Sequence, residues 1–479
     1  MTITTSRPNN TVTAGAGPGI SGPANSGRSL LNALTGLRLF AALAVYFSHL
    51  PAPQGAPRWL LTLQQSGYVG VTFFFVLSGF VLTLNYFDGL RTPQQLWSYA
   101  VARIARVYPL YLLVLAWPTI GLWATGNLPT KDLLLHVLGL QAWNPDLGIA
   151  YAFVAPAWSI SVELFLYATL PFLVVLVRLV DRRMWTLLGS VALVLAGLLA
   201  VAWLFTRTGR ADLAWTDPAS AHRWLYRTPL MRVGDFLLGI LAARVYVALR
   251  NRPFGERLGS WLILPATGVS VFLAAQSSLV FSAWSWDAMY ALPAVTLILG
   301  LALAPRSPMS RFLALRTVVF LGEASFAFYL IHYTVIGLLG AGAWSNGVTL
   351  QLVVLEAMHL GLATALAVGL HVGIEKPARV VVKRLLDRSR PRPAERAGTG
   401  RVAARDPLHH GRAPVPRHPN RPVRDGRSAA AGAHRSRPPE LVDAAPSHPG
   451  SARARWTPPT TRPPVDDSRA PAHNAVAPL

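Results

Sequence analysis

Apolar segments close to twenty residues long recur along this chain, and they restrict its possible folds more than any other feature. Hydrophobic residues make up 52% of the sequence and charged residues 14%, and the mean hydropathy is +0.38. An α-helix needs roughly 20 apolar residues to cross a bilayer. The sequence therefore predicts an all-α polytopic membrane protein with about ten transmembrane helices. The predicted spans are 33–50, 67–86, 107–124, 157–178, 184–205, 229–248, 258–275, 286–304, 317–341 and 349–371.

The distribution of positive charge predicts how these helices are oriented. The connections at 276–285 and 342–348 carry no charge, whereas the connections on the other side and the segment after the last span carry several arginines. Positive residues accumulate on the cytoplasmic side. We therefore predict a multi-pass protein of the cell (plasma) membrane with both termini in the cytoplasm. The connection 206–228 mixes arginine with aspartate and is the exception. Segment 132–143 is too short to cross and is predicted to be re-entrant or interfacial.

Extensions of different composition flank the predicted membrane domain, residues 30–385. Residues 1–29 are rich in Thr, Gly, Pro, Ser and Asn, lack a signal-peptide pattern, and are predicted to be a disordered arm. Residues 386–479 are predicted to be a disordered tail rich in Arg, Pro and Ala, with a net charge of +10 from residue 388 out of +23 in total. Such a tail can bind nucleic acid or anionic lipid, but a solvated extension is commoner, so no nucleic-acid partner is expected.

The absence of cysteine limits the available chemistry. It excludes disulfides, thiolate metal ligands and a thiol nucleophile, so a covalent acyl-enzyme would have to use Ser, Thr or His. The sequence also has no local metal-binding pattern such as His-Glu-x-x-His. We therefore expect no metal site and no permanently bound cofactor.

Two polar residues lie inside the first apolar segment. Arg38 and His49 are eleven residues apart, which is about three helical turns, so both side chains share one helix face about 16 Å apart along the axis. Ionisable groups are costly in lipid and usually mark a functional site. The pair therefore predicts a site that extends through the membrane.

The second span carries the small residues Gly67, Gly70 and Gly79. Small residues let neighbouring helices approach closely. Pure packing and the lining of a tunnel explain this composition equally well.

Two motifs lie at the ends of predicted spans. Arg103 and Arg106, at positions i and i+3, share a face just before the third span. On spacing alone they are ordinary orienting charge, and the alternative is a clamp for phosphate oxygens. Glu375-Lys376-Pro377 is predicted to end the last span, because proline stops a helix.

Further polar residues lie in the fourth and ninth spans. Ser159 and Glu163 are one turn apart, and Glu163 is predicted to lie at the depth of His49. A buried carboxylate beside a histidine fixes its tautomer and raises its basicity, so Glu163 is predicted to orient His49, although a structural ion pair is an alternative. Tyr329 and His332 are also one turn apart, and Ser159, Tyr329 and His332 are candidates for a supporting role. A single helix histidine is more often structural, so His332 ranks below His49.

Together these motifs resemble the acyltransferase 3 family, which comprises integral membrane O-acyltransferases of bacteria with eukaryotic relatives. The resemblance covers roughly 31–385 and implies a ten-span core that transfers an acyl group, usually acetyl, from acyl-CoA to a carbohydrate hydroxyl. It implies that His49 is essential and that Arg38, Arg103 and Arg106 contact CoA. The matching motifs, in family order, are Arg-x10-His (38–49), Phe-Phe-Val-Leu-Ser-Gly-Phe (74–80), Arg-x-x-Arg (103–106), Trp-Ser-Ile-Ser-Val-Glu (158–163), Gly-Glu-Ala-Ser-Phe-Ala-Phe-Tyr-Leu-Ile-His (322–332) and Glu-x-Pro (375–377).

The resemblance and the spacing lead to one mechanistic hypothesis. The paired arginines would hold the CoA phosphates in the cytoplasm, and the pantetheine arm, roughly 15–20 Å long, would span the Arg38-to-His49 distance. His49 would then act as a general base on the acceptor hydroxyl, or carry the acyl group itself. The expected acceptor is a carbohydrate or glycosylated metabolite, and membrane lipids surround the protein. A transporter or flippase of a polar solute, and a non-catalytic scaffold, are the alternatives.

Overall fold

The computed structural model describes residues 23–52, 55–286, 288–339 and 349–388. These ranges contain helices and no β-strand, so the predicted all-α polytopic fold is confirmed. The first helix begins inside the predicted N-terminal arm. The rest of that arm and the tail from residue 389 lie outside the described residues. The helices are α1 (Pro23–Ser48), α2 (Arg58–Gln65), α3 (Gly70–Tyr86), α4 (Pro93–Ala124), α5 (Thr130–Val137), α6 (Leu147–Ala150), α7 (Trp158–Val180), α8 (Met184–Arg207), α9 (Pro229–Leu249), α10 (Gly255–Ala274), α11 (Ala283–Trp286), α12 (Ala288–Leu303), α13 (Pro308–Leu313), α14 (Arg316–Leu339), α15 (Leu350–Leu370) and α16 (Lys376–Arg388).

Nine stretches of the described residues are long and apolar enough to span a bilayer. The predicted span that is missing from these nine, 229–248, corresponds to helix α9, which has 21 residues but carries Arg232, Asp235 and Arg244. These charges are paired inside the protein. Arg232 Nη1 is 2.9 Å from Asp235 Oδ2 with both side chains fully buried, and Arg244 Nη2 is 2.6 Å from Asp181 Oδ2. Helix α9 is therefore compatible with membrane depth because its charged groups are covered by protein and not by lipid.

Helix α4 begins well before the predicted third span. Thr92 caps it, since the Thr92 side chain accepts from the Gln95 N–H and the Gln95 side chain accepts from the Thr92 N–H. The expectation that Arg103 and Arg106 precede the helix is therefore wrong, because this capping box starts the helix at Pro93. Both arginines lie within a continuous 32-residue helix.

The end of the last span also differs from the prediction. A π-helical turn, His371–Glu375, joins α15 directly to α16, so Pro377 does not end the helix. The proline is the second residue of α16, so its missing backbone N–H is accommodated within a helix that continues. The segment predicted to be too short to cross contains the eight-residue helix α5 and a single 3₁₀ turn, Gln141–Trp143.

Helix α3 packs closely against neighbouring helices through glycines and lines internal cavities with other residues. A Cβ on Gly79 would lie 2.1 Å from the Phe236 carbonyl oxygen of α9, and one on Gly67, just before α3, would lie 1.9 Å from the Ala44 carbonyl oxygen of α1. These glycines are required for close helix contact. Phe74 and Ser78 of the same helix line internal cavities. Packing and lining, the two alternatives for this span, therefore both occur.

Candidate active site

His49 follows the last residue of α1 and has a defined hydrogen-bonding pattern. Its Nδ1 is 2.8 Å from the Val45 carbonyl oxygen and 3.4 Å from Nε2 of His332. A carbonyl can only accept, so Nδ1 of His49 carries the hydrogen and donates it. The other nitrogen, Nε2, is then unprotonated and free to accept a proton, as a general base requires.

His332 on α14 is the ring that contacts His49. The two ring centroids are 5.0 Å apart, and His332 is fully buried. Nδ1 of His332 is 2.7 Å from the Tyr329 carbonyl oxygen, so it donates there and leaves Nε2 as an acceptor that faces His49. The ring of Phe328 stacks on His332 at 6.1 Å. On sequence grounds His332 ranked below His49 as a candidate site residue. In the structure the two rings are in contact.

Glu163 does not lie beside His49, and the expectation that it orients this histidine is wrong. The Tyr167 hydroxyl donates to the Glu163 carboxylate, and Glu163 lines the same two cavities as Arg38. The pocket of His49 is instead lined by Pro156 and Trp158, seven and five residues earlier, which corresponds to roughly 7–10 Å along the helix axis. The helices α1 and α7 are shifted relative to each other along their axes. This shift is set by tertiary packing and cannot be predicted from the periodicity of either helix.

A series of four cavities runs between the helices. The first, which we call the basic cavity, has a volume of about 540 Å³ and is lined by Arg38, Arg103, Arg106, Glu323 and Arg379. Two intermediate cavities, of about 120 and 50 Å³, follow it. The last, which we call the aromatic pocket, is lined by His49.

Neighbouring cavities share lining residues. Arg38 lines the basic cavity and both intermediate cavities. Val71 and Tyr329 line the second intermediate cavity and the aromatic pocket, at a constriction between them. The predicted face of α1 thus follows the whole series, with Arg38 near one end and His49 at the other.

The arginines of the basic cavity differ in their partners. Arg106 forms an ion pair with Glu375, which is 1% exposed. Arg379 Nη2 is 3.1 Å from the Glu375 carboxylate, and Nδ1 of His371 is 2.8 Å from it. Arg38, in contrast, makes no hydrogen bond or ion pair with any residue in the described ranges. Its guanidinium is therefore available to a ligand.

Arg103 is held by aromatic rings. Its guanidinium carbon lies 5.5 Å from the ring centroid of Tyr86, 6.0 Å from that of Tyr99 and 5.7 Å from that of Tyr167. It also donates to the Tyr86 hydroxyl at 3.3 Å. Cation–π contacts of this kind fix an arginine without neutralising its charge, so the cavity remains positively charged.

Sequence reasoning missed Glu375, His371 and Arg379 as members of this site. The three residues are spaced four apart, which places them on one helix face. This spacing, next to the Glu-x-Pro motif, could have identified them from the sequence.

The two supporting hydroxyls lie where the second intermediate cavity adjoins the aromatic pocket. The Ser159 hydroxyl donates to the Pro156 carbonyl at 2.9 Å, and the Tyr329 hydroxyl donates to the same oxygen at 3.3 Å.

The family of the chain follows from comparison with known proteins. A family described as "Acyltransferase domain" (Acyl_transf_3) matches residues 31–374. The chain belongs to the acyltransferase 3 family. With nine candidate spans among the described residues, this acyltransferase is a multi-pass membrane protein, and the family assignment favours an enzyme over the transporter alternative.

Named relatives carry the same type of activity. The chain is 32% identical over 394 residues to "Acyltransferase MdmB" of Streptomyces mycarofaciens, which covers 75% of this chain and 94% of that protein. It is 26% identical over 330 residues to "O-acetyltransferase OatA" of Staphylococcus aureus, covering 64% of this chain and 50% of OatA. The match therefore spans about half of OatA. No solved structure matches the chain.

Proposed function

We propose that this acyltransferase moves an acyl group, acetyl in the simplest case, from cytoplasmic acyl-CoA to a hydroxyl of a carbohydrate or glycosylated small molecule. The observation that carries the proposal is the series of cavities between the arginines of the basic cavity and His49. The name of the relative OatA, an O-acetyltransferase, supports acetyl as the group and oxygen as the acceptor atom.

The basic cavity suits the CoA end of the donor. Arg38, Arg103, Arg106 and Arg379 surround a space large enough for several phosphate oxygens, and guanidinium groups bind such oxygens with paired hydrogen bonds. Glu375 pairs with Arg106 and Arg379, so the orientation of these two arginines is set before the donor binds. Arg38 makes no hydrogen bond or ion pair within the described ranges, so it can bind the donor without first breaking such a bond there.

The intermediate cavities suit the pantetheine arm. They are narrow, and the distance from Arg38 to His49 is about 16 Å by helix rise, which agrees with an arm of roughly 15–20 Å. The thioester would thus reach His49 while the nucleotide stays on the side where it entered. Glu163 lines this path, and we assign it to the donor channel instead of to the histidine.

His49 is proposed as the general base. Its Nε2 takes the proton of the acceptor hydroxyl, the hydroxyl oxygen bonds to the acyl carbon, and the carbon–sulfur bond to CoA breaks. The proton then passes from His49 to the CoA sulfur, which leaves as a thiol. His332 is a positioning residue, because its Nε2 shares the Nδ1 hydrogen of His49 and holds the ring in this tautomer.

An isotope experiment tests the proposal in proteoliposomes. Acetyl-CoA labelled separately in the acetyl group and in the adenine is supplied from one side. We expect the acetyl label to become an alkali-labile ester while the adenine label stays where it was added. Passage of the adenine label through the membrane would contradict the proposal and support a transporter.

The orientation has its own test, which the cysteine-free sequence makes simple. Single cysteines are introduced as Thr216→Cys and Asn251→Cys and are exposed to a membrane-impermeant maleimide on intact cells. We expect labelling at position 216 and none at 251. The reverse pattern would place both termini outside the cell.

A further inference from the structure

The aromatic pocket has walls from three connecting segments of the chain. Tyr151 precedes α7, Trp215 and His222 precede α9, and Phe281 precedes α11. No Asp, Glu, Lys or Arg lines it in the described part of the chain. The pocket therefore offers a ligand aromatic faces and a few hydrogen-bonding atoms, next to His49.

Polar atoms of this pocket are buried without partners. Neither ring nitrogen of His222 nor the Tyr151 hydroxyl has a hydrogen-bond partner of good geometry among the described residues, although the Trp215 backbone lies close enough to the His222 ring to act on its pKa. His222 is 1% exposed and lies between Trp215, at a centroid distance of 4.8 Å, and Tyr151, at 6.4 Å. Buried polar groups are nearly always paired in folded proteins. Such atoms are satisfied by a buried water molecule or by a ligand that brings its own hydrogen-bonding groups.

The charge state of His222 narrows the chemistry of that ligand. Burial, and next the charge of Arg227, lowers the pKa of His222 to about 3, so the ring is neutral at physiological pH. A neutral imidazole donates from one nitrogen and accepts at the other. A hydroxyl group, which also donates and accepts, matches both. A carboxylate or phosphate would be buried without a cation in the lining.

The walls are held in place by arginines of one π-helical turn, His222–Arg227. Arg227 Nη1 donates to the Asn144 carbonyl at 2.7 Å, and Arg223 Nη2 donates to the Trp143 carbonyl at 3.1 Å. Isolated π turns are frequent at functional sites. Phe281 has a positive φ of 56°, a strained backbone that also concentrates at such sites.

The pocket is narrow, with a free volume of about 20 Å³, which is room for one water molecule. A larger ligand therefore needs the walls to separate. About half of the lining residues belong to connecting segments, so a larger ligand requires these segments to shift while the long helices stay packed. Because the pocket has walls on several sides, it can admit a terminal group of a molecule but not an internal segment of a polymer.

We propose that the aromatic pocket is the acceptor subsite and takes a neutral, pyranose-sized sugar ring, either the end of a glycan or the sugar of a small glycoside. This proposal rests on the proposed function. His222 and Tyr151 bond ring hydroxyls, the aromatic faces of Trp215 and Phe281 cover the C–H face of the sugar, and one hydroxyl lies at Nε2 of His49. An acyl chain in the same space would leave the polar atoms of His222 and Tyr151 unpaired.

The test uses the full-length protein in nanodiscs with radiolabelled acetyl-CoA. The acceptor probes are methyl glucoside, methyl mannoside and methyl rhamnoside as neutral rings, methyl glucuronoside as an anionic ring, and 1-hexanol as an apolar alcohol. We expect kcat/KM for at least one neutral ring to exceed that of the last two by about tenfold or more, which is the effect of one hydrogen-bonded group.

Two variants connect this preference to the pocket. His222→Phe and Tyr151→Phe keep an aromatic ring and remove the polar atoms. Each should raise the KM of the preferred glycoside about tenfold and leave the KM of acetyl-CoA unchanged. Trp224→Phe is the matched control, because Trp224 lies in the same π turn, donates to the Pro218 carbonyl and does not line the pocket.

Several outcomes would overturn the acceptor subsite. They are equal rates on the glucuronoside or hexanol, an unchanged glycoside KM in both variants, and no glycoside acetylation while acetyl-CoA is still hydrolysed in a reaction that requires His49. Failure of the proposed function is distinguishable, because the wild-type protein would then neither bind nor consume acetyl-CoA.

Discussion

The basic cavity and the aromatic pocket lie at opposite ends of one series of cavities and are built in different ways. The basic cavity takes its arginines from long helices, and an ion-pair network around the buried Glu375 fixes two of them. The aromatic pocket takes much of its wall from connecting segments and has no charged lining residue among those described. A charged, preformed end suits a donor that never varies, whereas a neutral end made of loops can be adapted to a particular acceptor.

The largest expected effect comes from His49, the group at which donor and acceptor are proposed to react. His49→Ala should lower the rate of acyl transfer by about 10²- to 10⁴-fold, the usual contribution of general-base catalysis. Binding of acetyl-CoA, measured by calorimetry, should stay near normal because the basic cavity is intact. His359→Ala is the control, since His359 is also a buried histidine but pairs with Glu356. Transfer within tenfold of wild type would remove His49 as the base.

The donor end can be separated from the acceptor end by comparing two arginines. Arg38→Gln should raise the KM of acetyl-CoA by about 10- to 100-fold, the value of a hydrogen bond to a charged group. The melting temperature should not change, because Arg38 has no protein partner in the described ranges. The KM of the acceptor should also stay constant. A constant donor KM would assign Arg38 to the packing of α1.

Arg106→Gln should behave differently, because it leaves Glu375 without one of its two arginines. We expect a lower melting temperature together with a higher donor KM. The double variant Arg106→Gln/Glu375→Gln should recover part of the melting temperature but none of the donor affinity. Recovery of both would mean that the pair is purely structural.

A smaller effect is expected at His332. His332→Phe removes the second acceptor for the Nδ1 hydrogen of His49, beside the Val45 carbonyl, and should lower kcat by up to about tenfold with the donor KM unchanged. His332→Gln keeps an acceptor oxygen and should restore most of kcat. If both variants lose the same activity, His332 serves packing against Phe328 and not the orientation of His49.

The smallest effect is expected from the tail. The family match ends at residue 374, before the basic segment begins. Deletion of residues 389–479 should therefore leave both KM values and kcat within about twofold of wild type. A loss of donor affinity in this variant would show that the basic tail contributes to the basic cavity.

The contrast between the two ends also explains what the sequence could predict. Arg38 and His49 were assigned to one face because helical spacing fixes which residues share a side, and the structure places both along the cavities. The pairing of Glu163 with His49 failed because the relative depth of two helices depends on their tertiary packing. His222, Trp215 and Tyr151 escaped notice because they come from separate connecting segments, so no spacing joins them.

A series of cavities between membrane helices must not conduct ions, because an ion-conducting pore would discharge the membrane potential of the cell. Four guanidinium groups at one mouth repel sodium and hydronium ions electrostatically, as fixed arginines do in selective channels. At the far side, Val71 and Tyr329 line both the second intermediate cavity and the aromatic pocket, whose free volume is about 20 Å³. The arginines that we propose to bind the donor would thus also hinder the passage of cations.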